Sequence, residues 1–207
     1  MPTPVGHSLA ALAIHLTTPN RPLRQQWVPA LILVVLANLP DIDFLPGYLA
    51  GEPRLYHWGP THSFAAALIA GLLAGLVARR LTGRFLPMAL LGGAAYASHV
   101  CLDLLLGPGV LLRSMGLQVF WPFSTEPHMA PWSVFRAFPS SIDELGPIRA
   151  LFTSGVLPLM AREVTILLPV CLVAWIGRRL YRRDAAPEAP DRTSALARTA
   201  PADCQSS

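Results

Sequence analysis

The pattern of hydrophobic and polar positions divides the chain into five low-charge stretches, residues 5–16, 28–39, 63–78, 85–106 and 156–177, the last interrupted by Arg162 and Glu163. Each predicts a helix. A helix that crosses the hydrocarbon core of a bilayer needs roughly 20 apolar residues, and by that standard only the fourth segment spans without help. The first two are short enough to be tilted, partly inserted or flanked by polar turns. Residues 117–148 differ in character: Trp121, Phe123, Trp132, Phe135 and Phe138 are interleaved with Pro122, Pro127, Pro131 and Pro139. That predicts an irregular aromatic loop, an anchor at the membrane interface where Trp is favoured or a lid over a substrate.

Composition explains what the helices face. Of 207 residues, 53% are hydrophobic and 14% charged, whereas soluble domains carry about a quarter charged residues. The missing charge corresponds to surface that faces lipid, so the expected fold class is all-α, a polytopic helical membrane protein. Disorder, collagen and a disulfide scaffold are excluded. Cys101, Cys171 and Cys204 are odd in number and lack C-x-x-C spacing, which gives neither a disulfide nor a thiolate zinc site.

Charge sets the orientation. All 16 basic residues are arginine and none forms a single basic block, so no nucleic acid is expected. Arg21 and Arg24 follow segment one, Arg79, Arg80 and Arg84 follow segment three, and Arg178, Arg179, Arg182 and Arg183 follow segment five. Cytoplasmic loops accumulate arginine, which places those ends inside. The intervening stretches carry only Arg54, Arg113, Arg136 and Arg149 and go outside, with the N-terminus. No basic residue precedes Arg21, so segment one does not read as a cleaved signal. Residues 1–183 form the expected membrane-embedded domain, and 184–207 are too poor in large apolar residues to build a core; they read as a disordered cytoplasmic tail.

Under that orientation, seven potential metal ligands fall at the outer ends of the segments: His7, Asp41, Asp43, His57, His62, His99 and Asp103. His99 and Asp103, spaced i, i+4, share one helix face. Asp41 and Asp43 follow Pro40, which is expected to end the preceding helix and leave both carboxylates in a turn. Thr61 or Ser63 can cap the helix that begins after His62. An Asp at membrane depth costs about 2.5–3.5 kcal/mol on insertion scales, so three of them together point to a divalent cation that stabilises their ionised form. Zinc suits this donor set first, with manganese and iron as alternatives. His15 at the inner end of segment one and His128 in the aromatic loop are assigned no catalytic role.

The blocks Gly6-His7, Leu39-Pro40-Asp41-Ile42-Asp43, His57-Trp58-Gly59-Pro60-Thr61-His62-Ser63, Ser98-His99 with Asp103, and Trp121-Pro122-Phe123 resemble the YdjM family of membrane-bound metal-dependent hydrolases. The resemblance implies a multi-pass protein of the bacterial inner membrane with a metal-hydrolase site. More distantly, the order Asp, His, then His-x-x-x-Asp looks like the zinc-dependent phospholipase C and S1/P1 nuclease group, which hydrolyses phosphoesters. Many YdjM-like chains carry Arg where this one has Trp58, and a Thr where it has Leu106.

The resulting expectation is one ion held by Asp41 or Asp43, His57 or His62, His99 and Asp103, with His7 and the remaining carboxylate available for a second. Water acidified by the metal attacks an ester, and an uncoordinated carboxylate acts as base, which makes Asp41, Asp43, His62 and Asp103 the candidate catalytic residues. A site facing outward beside lipid favours a phosphoester or other ester of a lipid-like substrate. The alternatives are non-enzymatic: an ion carrier, since intramembrane Asp and His also mark ion pathways, or a membrane protein stapled by its metal. Oligomeric state is not legible.

Overall fold

A computed structural model describes residues 2–18, 27–52, 56–107, 116–136 and 155–184, and among these the chain is helical. Helix α1, Pro4–Leu16, starts at Thr3, whose hydroxyl accepts from the Val5 N–H, with Pro4 at the first position where its missing N–H is not needed. Helix α2, Trp27–Asn38, runs into a 3-10 turn at Leu39–Asp43 and then helix α3, Phe44–Leu49. Pro40 therefore does not end the helical path as expected. It sits at the start of the tighter turn, which tolerates the absent donor, and the apolar run from Trp27 to Leu49 reaches 23 residues.

Helix α4, Phe64–Thr82, is capped by Ser63, whose hydroxyl accepts from the Ala66 N–H, and stops at Gly83 with φ +73°. Only glycine adopts that conformation without a Cβ penalty. Helix α5, Phe85–Leu104, and helix α6, Leu157–Asp184, complete the set. Four stretches, Trp27–Leu49, Phe64–Thr82, Phe85–Leu104 and Leu157–Tyr181, are long and apolar enough to cross a membrane, where the sequence pattern gave one unaided. The helices outrun their apolar cores because arginine is a good helix former: Arg79, Arg80, Arg178 and Arg179 continue α4 and α6.

Helix α5 is central, packing against α1, α2 and α4, while α1 also packs on α2 and α6. The α4–α5 contact brings backbones together: a Cβ on Gly71 would lie 2.6 Å from the Ala89 carbonyl oxygen, and one on Gly75 would lie 2.7 Å from the Ala89 Cβ. Small residues four apart are how apolar helices approach closely when lipid removes the hydrophobic drive between them. Leu68, Leu73 and Val77 on α4, Leu90 on α5 and Val173 on α6 are exposed, the inverted pattern of a bundle solvated by hydrocarbon.

Residues 116–136, the described part of the aromatic loop, are irregular, with an antiparallel bridge joining Leu117 and His128. It caps one end of the bundle: the Phe64 N–H donates to the Val119 carbonyl (3.0 Å), Ala130 N–H to Leu104 (3.0 Å) and Val134 N–H to Leu105 (2.8 Å). Phe135 is buried with Trp58, Val100, Leu106 and Leu117, whereas Phe123 and Trp132 remain exposed. Phe138, Pro139 and the tail from residue 185 lie outside the described residues.

Gly71→Val tests the close helix contact. Overpacking of this kind costs about 1–3 kcal/mol, so thermal unfolding in detergent should shift down by several degrees, while the same change at the unencumbered Gly177 should leave it within error.

Candidate metal centre

The starts of α1 and α4 meet the ends of α2 and α5 at one pole of the bundle, and there His7, Asp41, His62, His99 and Asp103 converge. Arg79, Arg80 and Arg84, at the α4–α5 corner, and Arg178 and Arg179, toward the end of α6, belong to the opposite pole. His7, His62, His99 and Asp103 are fully buried.

Tautomers follow from the partners. The His99 Nδ1 lies 2.7 Å from the Ala37 carbonyl oxygen, which can only accept, so Nδ1 carries the proton and the Nε2 lone pair points inward. His62 presents Nδ1 to Asp43 Oδ2 at 3.1 Å, and His57 presents Nδ1 to Asp43 Oδ1 at 2.9 Å. Thr61 donates its hydroxyl to Asp43 Oδ2 at 2.6 Å, and Tyr96 donates to the Thr61 carbonyl at 2.8 Å. Asp43 thus stands behind two imidazoles and turns the Nε2 atoms of both away from itself, the usual place of a carboxylate that orients metal-binding histidines.

The inward atoms form a tight cage. His62 Nε2 and His99 Nε2 are 3.1 Å apart. Asp41 Oδ1 lies 3.7 Å from the first and 3.4 Å from the second, and Asp103 Oδ2 lies 3.5 Å and 3.7 Å from them. A tetrahedron of ligands with bonds of about 2.1 Å, the zinc length to nitrogen and oxygen, has edges of about 3.4 Å. Two lone pairs and two carboxylates at such spacing repel unless a cation lies between them. Among the described residues, neither oxygen of Asp41 has a hydrogen-bond partner, and the same holds for Asp103 Oδ1, His57 Nε2 and both ring nitrogens of His7. The donor set and its orphaned atoms fit a divalent metal: one ligand atom each from Asp41, His57, His62 and Asp103 falls within 4.8 Å, as does a second set from His7, Asp41 and His99.

Without a metal, a proton on His62 relieves part of that repulsion. Burial disfavours imidazolium, but the Asp41 and Asp43 carboxylates beside the ring outweigh it and push His62 up to about 9. Burial draws His57 down, opposed only in part by Asp43, so His57 stays neutral and Nε2 remains a free acceptor.

Trp58 donates its indole N–H to Asp103 Oδ2 at 3.1 Å. Its backbone sits at φ +67°, a left-handed conformation that is an outlier for a bulky residue. The Gln118 N–H to the Trp58 carbonyl (3.2 Å) and burial of the ring hold it there.

One contributor escaped sequence reasoning. Glu163, visible only as an interruption of the last segment, is buried in α6 and accepts from the Thr3 N–H at 2.6 Å and the Gly6 N–H at 3.0 Å, as well as from the Thr3 hydroxyl. It ties the start of α1, and hence His7, to α6. Its signal was the cost of a carboxylate inside an apolar helix. His15 lies at the far end of α1 from His7, and His128 bonds the Glu126 carbonyl in the loop; neither joins the cluster.

Residues 1–186 match the family model described as YdjM inner membrane protein. The chain is also similar to inner membrane protein YbcI of Escherichia coli strain K12, with 30% identity over 149 residues, covering 69% of this chain and 80% of that protein. No solved structure matches.

The raised His62 sets a pH dependence for the metal-free protein. A histidine elevated from 6.5 to about 9 in the folded state adds stability that is complete below 6.5 and lost as pH rises through 9. Thermal unfolding of chelator-treated protein should therefore fall between pH 6.5 and 9, and saturation with zinc should flatten that slope.

Proposed function

The chain belongs to the YdjM inner membrane protein family, and from the four-atom cage at one pole of its bundle we propose that it is a membrane-bound metal-dependent hydrolase of a lipid-like ester, a phosphoester first. Asp41, His62, His99 and Asp103 hold the ion, and the observation that carries this reading is the 3.1–3.7 Å spacing of their inward atoms. When bound, zinc supplies Lewis acidity toward an ester oxygen and acidifies water.

The chain's own residues do the rest. Asp43 fixes His57 through Nδ1, so His57 Nε2 is a proton acceptor whose orientation is set in advance, the role of a general base. This moves Asp43 from the expected ligand and catalytic sets to a positioning role. Asp41 is the most open member of the cage, with 14% of its side chain exposed, and marks the side from which substrate enters.

A cavity of about 1080 Å³ supports an apolar-tailed substrate. It lies over α5 between α2 and α4, lined by Leu33, Leu36, Ile69, Leu73 and Leu91 among others, and Thr61 and Tyr96 line it too. Those two lead by hydrogen bonds to Asp43. The arginine-rich pole opposite the cage supports a cytoplasmic face there, with the site extracytoplasmic.

Protein purified in detergent should contain zinc, and His99→Ala and Asp103→Ala should lose it together with hydrolysis of lipid phosphoesters; unchanged metal content in both variants sinks the reading. Asp43→Asn should keep the fold and weaken zinc affinity by about 10–100-fold, measured by chelator competition. Bound metal that raises the unfolding temperature without turnover of any phosphoester or carboxylic ester would make the ion a staple instead. Cysteines introduced in a cysteine-free background near Arg80 and near Gly107 should react with an impermeant reagent from the cytoplasmic and outer sides respectively.

A further inference from the structure

We propose that the centre takes two divalent ions, the second anchored by His7, bridged to the first by Asp103 and completed by Asp41; this rests on the metal reading above.

His7 is the starting point. It is fully buried and, among the described residues, neither ring nitrogen has a hydrogen-bond partner, an unfavourable state for polar atoms cut off from water. The segment that carries it is clamped: Glu163 binds the backbone on both sides of Pro4, and a Cβ on Gly6 would come within 2.8 Å of that carboxylate. The Gly6-His7 pair therefore has a physical reason: Gly6 lets Glu163 approach and Glu163 fixes His7.

The ring then stacks on His99 with centroids 3.8 Å apart and planes 16° from parallel. Parallel imidazoles at that distance are compatible with two neutral ligands and unfavourable for two cations. Asp103 connects them: Oδ2 lies in the cage with His62 and His99, while Oδ1 is unpartnered and lies 3.7 Å from His7 Nε2. Asp41, His7 and His99 place one ligand atom each within 4.8 Å, and Asp41 retains an oxygen beyond the one measured against His62 and His99. The competing arrangement makes His7 a fifth ligand to a single ion.

Stoichiometry separates these. Full-length protein in detergent, stripped with chelator and titrated with zinc alone, should bind two ions per chain by elemental analysis. His7→Gln should bind one, and His99→Ala should retain at most one, weakly. His7→Ala provides a second variant should the amide perturb folding. In wild-type protein loaded with manganese, the electron paramagnetic resonance spectrum should carry the signature of an exchange-coupled pair, which requires no variant to fold. One zinc per wild-type chain overturns the second site and leaves the single-ion hydrolase standing; no zinc overturns both.

Discussion

The arrangement of this protein is governed by electrostatic repulsion inside a low-dielectric pole. Asp41, His62, His99 and Asp103 aim acceptor atoms at one point, and burial strengthens every like interaction among them. A cation placed there, as a proton on His62 or as a metal, relieves that repulsion. The proton offsets only part of the charge: with His62 protonated, two carboxylates remain in the cage and the His7 ring still lacks a partner. A divalent ion neutralises both carboxylates and takes the lone pairs as ligands.

The helices can be read as the means of holding those atoms against that repulsion. His99 is locked to the Ala37 carbonyl where α2 ends, so the rotamer of an α5 side chain is fixed by a different helix. Asp43 gathers His57, His62 and Thr61. The 3-10 turn matters here. Had Pro40 ended the helical path in a loose turn, Asp41 and Asp43 would not have fixed directions; in the tighter helix they face different neighbours, Asp41 the cage and Asp43 the backs of the imidazoles. Close glycine contacts then keep α4 against α5, so that His62 before α4 stays within reach of His99 within α5.

Much of this was legible from residue types and spacing. Five helices, the gathering of His and Asp at one end and the i, i+4 pair at His99 and Asp103 follow from periodicity and from the cost of acids in lipid. The Ser63 cap is likewise local chemistry. What sequence could not give is direction. Asp41 and Asp43 are alike in type and two residues apart, yet only the fold shows that Asp43 is engaged by two histidines and Thr61 while Asp41 is left unpartnered. Segments three and five were cut short because arginines were taken as boundaries, although they continue α4 and α6, and segment two because Pro40 was taken as one. Glu163 is far from Thr3 and Gly6 in sequence, and its link is a tertiary event that no local pattern encodes.

Trp58 shows how an aromatic residue can serve the cage without adding charge to it. An Arg at that position would bring a cation beside Asp103, within the cage's own field, and would compete with a metal for the carboxylate. The indole N–H bonds Asp103 Oδ2 without adding charge, and the ring fills the apolar cluster beneath the loop. The left-handed backbone at this residue is the strain accepted for that aim, of order 1–3 kcal/mol.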